Sequence, residues 1–274
     1  MVHNNFYAGA DMKAARPKLP KSLKVERRGA IAIVTLSRPE KRNALNDTIV
    51  LGLEAFFDTL PAGVKAVVLN AEGKHFSAGL DLSELKVLSI EDGVAHSRVW
   101  HRIFDRIEFG RVPVVTVMHG AVIGGGLELA AATHIRVAER SAYYALPEGS
   151  RGIFVGGGGS VRLPRLIGVS RMIDLMLTGR TYGAEEGQAL GLSHYLVGEG
   201  EGLAKGIEIA KRLAGNSQTS NFAIMNVLPR IAEQDRASGF VMESLTAAIA
   251  QGSGEAKERI KAFLEKRAAK VERK

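Results

Sequence analysis

The chain has 274 residues, of which 46% are hydrophobic and 24% charged, with no cysteine and a formal net charge of +8. Such a length can bury one large apolar core without covalent staples. The absence of cysteine excludes disulfides, thiolate catalysis and Cys-type zinc sites.

No apolar run is long enough to cross a bilayer, so no membrane partner is expected. Met1 to Pro20 lacks the apolar stretch of a secretory signal, although its shortage of acids is a trait of transit peptides. A reducing, cytoplasmic setting is the expectation. Charge is concentrated at the ends: residues 1–28 hold seven Lys/Arg against two acids, and 257–274 hold eight against three. In the tail, Lys257, Lys261, Lys266, Arg267 and Lys270 alternate with Glu258, Glu265, Ile260, Phe263 and Leu264. That is an amphipathic helix with a solvated face. Without interleaved aromatics or a binding motif, no nucleic-acid partner is expected. An anionic, nucleotide-bearing small molecule suits the same surplus of charge.

In chain order, Ala30 to Leu36 reads as a strand stopped at Arg38-Pro39. Asn46 or Asp47 caps a helix to about Leu60, with Ile49, Leu53, Phe56 and Phe57 on one face. Val64 to Leu69 is nearly all apolar, as in a strand covered on both faces. A helix over Ile90 to Phe109 follows, then a strand over Val112 to Met118, a buried helix over Gly126 to Ala132, and short strands at Ile135 to Val137 and Ala142 to Tyr144. Beyond Gly159 helices are predicted at 161–167, 170–177, 184–190, 203–214, 218–232, 235–251 and 255–269. Alternation giving way to helices predicts an α/β core with a helical C-terminal region. The expected organisation is an extension over 1–22, a core over 23–215 and a helical oligomerisation region over 216–274.

Two glutamates beside glycine-rich turns carry the chemistry. Glu128 follows Gly124-Gly125-Gly126, and Glu148 precedes the run Gly156 to Gly159. Three glycines between a strand-like and a helix-like run let backbone N–H groups approach a ligand, and Glu128 falls in the first helical turn beside them. Backbone donors for an oxyanion plus two carboxyl groups make a site for acid–base chemistry at a carbonyl. As a mere helix-dipole partner Glu128 would be an odd choice, since Glu is seldom buried without a task. Gly156 to Gly159 lacks both the Lys-Ser/Thr ending of a P-loop and GxGxxG spacing, and no Gly-x-Ser-x-Gly elbow occurs. The seven histidines form no HExxH, so no metal site is expected. His96 and His101 read as a solvated helix face, and His119 and His134 as core or pocket residues.

Ser37-Arg38-Pro39-Glu40-Lys41-Arg42-Asn43-Ala44-Leu45-Asn46, Phe76 to Leu82, Gly124 to Leu129 and Leu177 to Arg180 together resemble the enoyl-CoA hydratase/isomerase (crotonase) superfamily, in order from about residue 23 to 200. A weaker echo lies at Ala262 to Arg267. The resemblance implies a crotonase (ClpP-like) spiral of ββα units, assembled as a homotrimer or dimer of trimers and acting on acyl-CoA thioesters. No permanent cofactor is implied, because coenzyme A arrives as part of the substrate. By the same resemblance, the amides of Leu80 and Gly125 form the oxyanion hole, with Glu128 and Glu148 as the two acids. Ala44, Ala78, Asp81, Leu82, Gly124 and Gly126 fall at the substrate; Arg42, and Lys266 from a neighbouring subunit, are candidates for the CoA phosphates. Gly156 stands where dienoyl-CoA isomerases carry a third acid, and Tyr143 and Tyr144 are placed to shape an acyl pocket.

These residues predict an enoyl-CoA hydratase. Glu128 is read as the carboxylate that activates water and Glu148 as the proton donor, because two close carboxyls do not both ionise readily. An enoyl-CoA isomerase, a CoA hydrolase or a cinnamoyl-type hydratase/lyase shares the same hole. A non-catalytic CoA-thioester binder or an RNA binder needs neither glutamate.

Overall fold

A computed structural model describes residues 18–84 and 89–267. Strands β1 (Leu23–Arg28) and β2 (Ile31–Leu36) are followed by α1 (Asp47–Asp58), β3 (Ala66–Ala71) and α2 (Ile90–Glu108). Next come β4 (Val114–Met118), β5 (Ala121–Ile123), α3 (Gly125–Ala131), β6 (Ile135–Glu139) and β7 (Tyr143–Ala145). Helices α4 (Gly159–Ile167) and α5 (Val169–Thr178), β8 (Tyr182–Gly183), α6 (Ala184–Leu190), β9 (Tyr195–Val197) and α7 (Gly202–Ala214) complete the core. After it lie α8 (Gln218–Phe222), a π-helical turn (Ala223–Val227), α9 (Leu228–Ile231), α10 (Arg236–Gly252) and α11 (Gly254–Leu264).

The strands form a sheet in the order β1-β2-β3-β4-β6-β9 and a second one in the order β5-β7-β8. From β2 onward the large sheet is parallel, and only the edge strand β1 runs antiparallel. Successive turns of chain give one strand to each sheet: β4 and β6 pair in the first, β5 and β7 in the second. This is the expected ββα spiral. It also explains the uninterrupted apolar runs. Ile31, Ile33, Ala66, Val68, Val115 and Val117 face Ile209 and Ala210 of α7. The alternate residues Ala32, Val34, Leu36, Val67 and Leu69 join the main core with α1 and α2. Both faces are covered, so a polar/apolar alternation has no place there.

Helix α1 is capped by Asn46, whose side chain accepts from the Ile49 amide at 3.1 Å. Three expectations need correction. The predicted helix over 218–232 is interrupted by the π-helical turn just before Pro229. Proline has no N–H to donate back along the helix, which frees the carbonyls of the preceding turn. The helix predicted over 255–269 stops at Leu264; Lys266 takes a left-handed φ of 57° and Arg267 N donates to Ala262 O at 2.9 Å. Residues 268–269 lie outside the described residues. Finally β1, β8 and β9 are strands that periodicity does not predict: β1 is an exposed, charged edge, and the other two are only two and three residues long.

Candidate active site

The site is assembled by strand register. Leu80 lies on the strand-like segment after β3, held by Leu45 N donating to Gly79 O at 2.7 Å and Asp81 N donating to Leu45 O at 2.8 Å. Ser77 bridges Val122 of β5, which aligns that segment with the start of α3. The parallel β5–β7 pairing sets Ile123 opposite Ala145, and Gly124 N donates to Ala145 O at 3.0 Å. Glu148, three residues past Ala145, is thereby brought beside Gly124 and into the cleft that Gly125 and Glu128 line. That is how two glutamates twenty positions apart meet.

Leu80, Gly125, Glu128 and Glu148 line one cleft of about 350 Å³, together with Trp100 and the segment Ile153 to Gly157. A Cβ built on Gly125 would lie 3.4 Å from the Leu80 amide nitrogen, so the two backbone segments converge there. Gly125 opens α3, where an amide has no partner within its own helix. Among the described residues no acceptor takes the Leu80 or Gly125 amide. Gly124 adopts φ 50° and ψ −123°, and a Cβ on it would sit 2.7 Å from Glu148 Oε1. Both facts require glycine. Gly126 presses on Ser77, where a Cβ would come within 2.6 Å of the Ser77 Cβ.

The two carboxyls have unlike surroundings. Glu128 Oε1 accepts from Gly157 N at 2.9 Å and Gly159 N at 2.7 Å. Burial pushes this carboxyl above its ordinary value, while those amides, with His101 and Arg162 farther off, pull it down. Glu148 Oε2 is buried with no hydrogen-bond partner among the described residues. Burial raises the Glu148 carboxyl above its ordinary value; its own backbone amide pulls it down in part, and the negative charge of Glu128 raises it further. The donors thus favour ionised Glu128, and the orphaned oxygen favours protonated Glu148. A base and an acid beside two convergent amides can move protons at a carbonyl compound whose oxygen the amides hold.

A sequence profile described as Enoyl-CoA hydratase/isomerase matches residues 26–274. The chain belongs to the enoyl-CoA hydratase/isomerase family. Two similar proteins carry the qualified name "putative enoyl-CoA hydratase". That of Thermus thermophilus is 36% identical, covering 88% of this chain and 96% of the relative. That of Rhodopseudomonas palustris has a crystal structure 56% identical with a TM-score of 0.88, covering 91% of this chain and 97% of that one. The short-chain-enoyl-CoA hydratase of Clostridium acetobutylicum is 30% identical, covering 89% and 94%. The fold is therefore that of the crotonase superfamily, and membership implies an enzyme acting on an acyl-CoA thioester.

Other residues singled out from the sequence fall in several places. Arg42 is exposed in a left-handed turn, with its carbonyl accepting from Ala78 N at 2.9 Å. Ala44 is buried on the same loop, Ala78 is half-buried, and Leu82 is exposed in a short 3-10 turn. The Asp81 carboxylate is engaged by Ser83 Oγ at 2.6 Å and by Arg38 Nη1 at 2.6 Å, and both hold it below its ordinary value. Lys266 is exposed beyond α11 and is not among the cleft-lining residues of this chain. His96 is not merely a solvated residue: it lines the cleft, with Nε2 2.8 Å from Asp47 Oδ1. His134 is no pocket residue; it is half-buried and held between Val114 N and Glu108 O, and loss of solvation depresses it to about 4. Tyr144 is fully buried in the core rather than in the cleft wall.

Sequence reasoning missed Asn43, Trp100 and Arg162. Buried Asn43 donates to Glu72 O and His75 O, both at 2.8 Å, and accepts from Arg38 N, tying the loop to the end of β3. Trp100 lines the cleft opposite Gly125, where a Cβ would lie 3.4 Å from its Cζ3. The i, i+4, i+8 spacing of His96, Trp100 and Phe104 marks one face of α2 and was the available signal.

Proposed function

We propose that the protein is an enoyl-CoA hydratase. The thioester oxygen accepts from Leu80 N and Gly125 N. Ionised Glu128 takes a proton from water as its oxygen bonds to Cβ, and protonated Glu148 gives one to Cα. The C=C π bond is lost, one C–O and one C–H bond form, and proton exchange between the two carboxyls through solvent restores the starting state. The observation that carries this reading is the asymmetry within one cleft: two amides bind Glu128, whereas Glu148 keeps a buried, unpartnered oxygen.

Arg42 and, in an assembly, Lys266 are candidates for the CoA phosphates, and a homotrimer or dimer of trimers is part of the same reading. So is a cytoplasmic setting; among the described residues no helix is long and apolar enough to cross a membrane. The test is incubation with crotonyl-CoA, longer enoyl-CoAs and cinnamoyl-CoAs, following the conjugated-enoyl absorbance and the product mass. Hydration bleaches that absorbance and adds one water to the mass. Glu128→Gln and Glu148→Gln should each lower kcat by about 10²–10⁴-fold without unfolding the protein. Product of unchanged mass, or either variant turning over like wild type, would overturn the two-acid hydratase.

A further inference from the structure

The loop that holds Glu128 has a second side. Gly157 lines the cleft, whereas Gly158 lines a separate cavity of about 690 Å³ between α2, α4 and the region of α9. Arg162, on the first turns of α4, reaches into that junction with its side chain only 8% exposed. Nη1 donates to Gly157 O at 3.2 Å, Nε to Glu108 Oε2 at 2.6 Å and Nη2 to Asp105 Oδ1 at 2.5 Å. The carbonyl it grips belongs to the peptide linking Gly157 to Gly158. That peptide lies between the two whose N–H groups bind Glu128. Gly158 stands at φ 96°, and a Cβ there would collide with the guanidinium.

We propose that Arg162 is a positioning residue for Glu128: its guanidinium, braced by Asp105 and Glu108 of α2, clamps the 157–158 peptide and so keeps both flanking amides aimed at the Glu128 carboxylate. The inference rests on the reading of Glu128 as the base. Three acceptors lie in three directions, and a planar fork of donors meets them where the point charge of lysine does not. The two α2 carboxylates balance the buried cation, so it has no need to ion-pair with Glu128 itself. The groups facing Glu128 are His101 from α2, Arg162 from α4, Glu148 and the glycine amides. Arg162 is the one that also holds the loop in place.

The test compares wild type with Arg162→Lys and Arg162→Ala. Misplacing the amides should lower kcat on crotonyl-CoA by about 10- to 100-fold with KM nearly unchanged. The acid limb of the kcat profile should move to higher pH, because the lost donors favour the ionised carboxyl. Added guanidinium chloride at non-denaturing concentration should restore part of the kcat of Arg162→Ala through the neighbouring cavity, and methylammonium should not. In parallel, the carboxyl titration of Glu128 is followed by ¹³C NMR on labelled protein, assigned by its loss in Glu128→Gln. A titration displaced upward in folded Arg162→Lys supports the proposal. An unmoved titration, or an Arg162→Lys variant that loses only thermal stability, overturns it. The NMR readout needs no turnover, so a protein that hydrates no enoyl-CoA refutes the functional reading and leaves the positioning role to the titration.

Discussion

Replacing Gly125 by alanine separates catalysis from folding at one carbon atom. Gly125 is the first residue of α3 and is not among the glycines with positive φ, so alanine fits its backbone. The added Cβ would meet Leu80 N at 3.4 Å and Trp100 Cζ3 at 3.4 Å, close contacts that small shifts relieve. A helical Gly→Ala change is favourable by up to about 0.5–1 kcal/mol, so the melting temperature should hold or rise. An oxygen bonded to both amides would sit about 2.9 Å from each nitrogen, which is the space the methyl enters. Losing one such donor costs about 2.7–4 kcal/mol in the transition state, or roughly 10²–10³ in kcat. Stability and activity are therefore predicted to move in opposite directions. The assay is thermal unfolding beside crotonyl-CoA hydration, with Leu80→Ala as a mild control and Leu80→Pro, which deletes the second donor, as a severe one. Wild-type kcat in folded Gly125→Ala would show that the glycine serves packing alone and that the oxygen is held elsewhere.

Glu148 has a folded-state value raised above the ordinary 4.5, so its contribution to stability is fully present below that value and is lost as pH rises through the folded one. Glu148→Gln should accordingly melt higher than wild type at pH 8, with the gap closing near pH 4; an equal gap at both would refute the burial argument. The kcat profile of wild type should be bell-shaped, falling in acid as Glu128 protonates and in base as Glu148 ionises, and each neutral variant should lose its own limb. Phe240, Val241, Leu245 and Ile249 on α10 and Phe263 and Leu264 on α11 are exposed in the single chain, an apolar surface suited to self-association. Deleting 256–274 should weaken a trimer or hexamer seen by light scattering and raise KM more than it lowers kcat, whereas a fully active monomeric wild type would refute that role.

The parts of this architecture legible in the sequence are those with one physical solution. Asn46 before an apolar-periodic run has to cap a helix, and Val67-Val68-Leu69 has to be covered on both faces. The triple glycine was readable because no other residue tolerates the torsions of Gly124 or the crowding of Gly126 on Ser77. What escaped depends on distant chain. Tyr182-Gly183 is a strand only because it pairs with β7. Arg162 looks like any basic residue on a helix until α2 presents Asp105 and Glu108 to it. His96 changes meaning for the same reason: alone it reads as a solvated histidine, but it shares a face of α2 with Trp100 and is turned toward the cleft.

This division has a structural cause. The four groups invoked for the chemistry come from three successive passes of the chain: Leu80 after β3, Gly125 and Glu128 at α3, and Glu148 after β7. Their relative positions follow from the Ser77–Val122 bridge and the Ile123–Ala145 register, which are backbone pairings set by the parallel sheets. A one-residue slip would turn every side chain of those strands to the wrong face and is resisted by the whole core. The opposite wall of the cleft is built differently. His96, Ser97 and Trp100 are side chains of α2, and Ile153 to Val155 belong to a segment outside any helix or strand, attached to α2 where Ser97 Oγ donates to Gly156 O at 2.5 Å. Ile153 to Val155 on that wall make none of the backbone pairings that place the oxyanion amides, so they can change without moving them, whereas Ser97 and Gly157 are tied to the Glu128 loop. On the proposed hydratase reading, acyl preference is expected to reside in α2 and residues 153–155, while the oxyanion amides and the two carboxyls are placed by the strand register of the spiral.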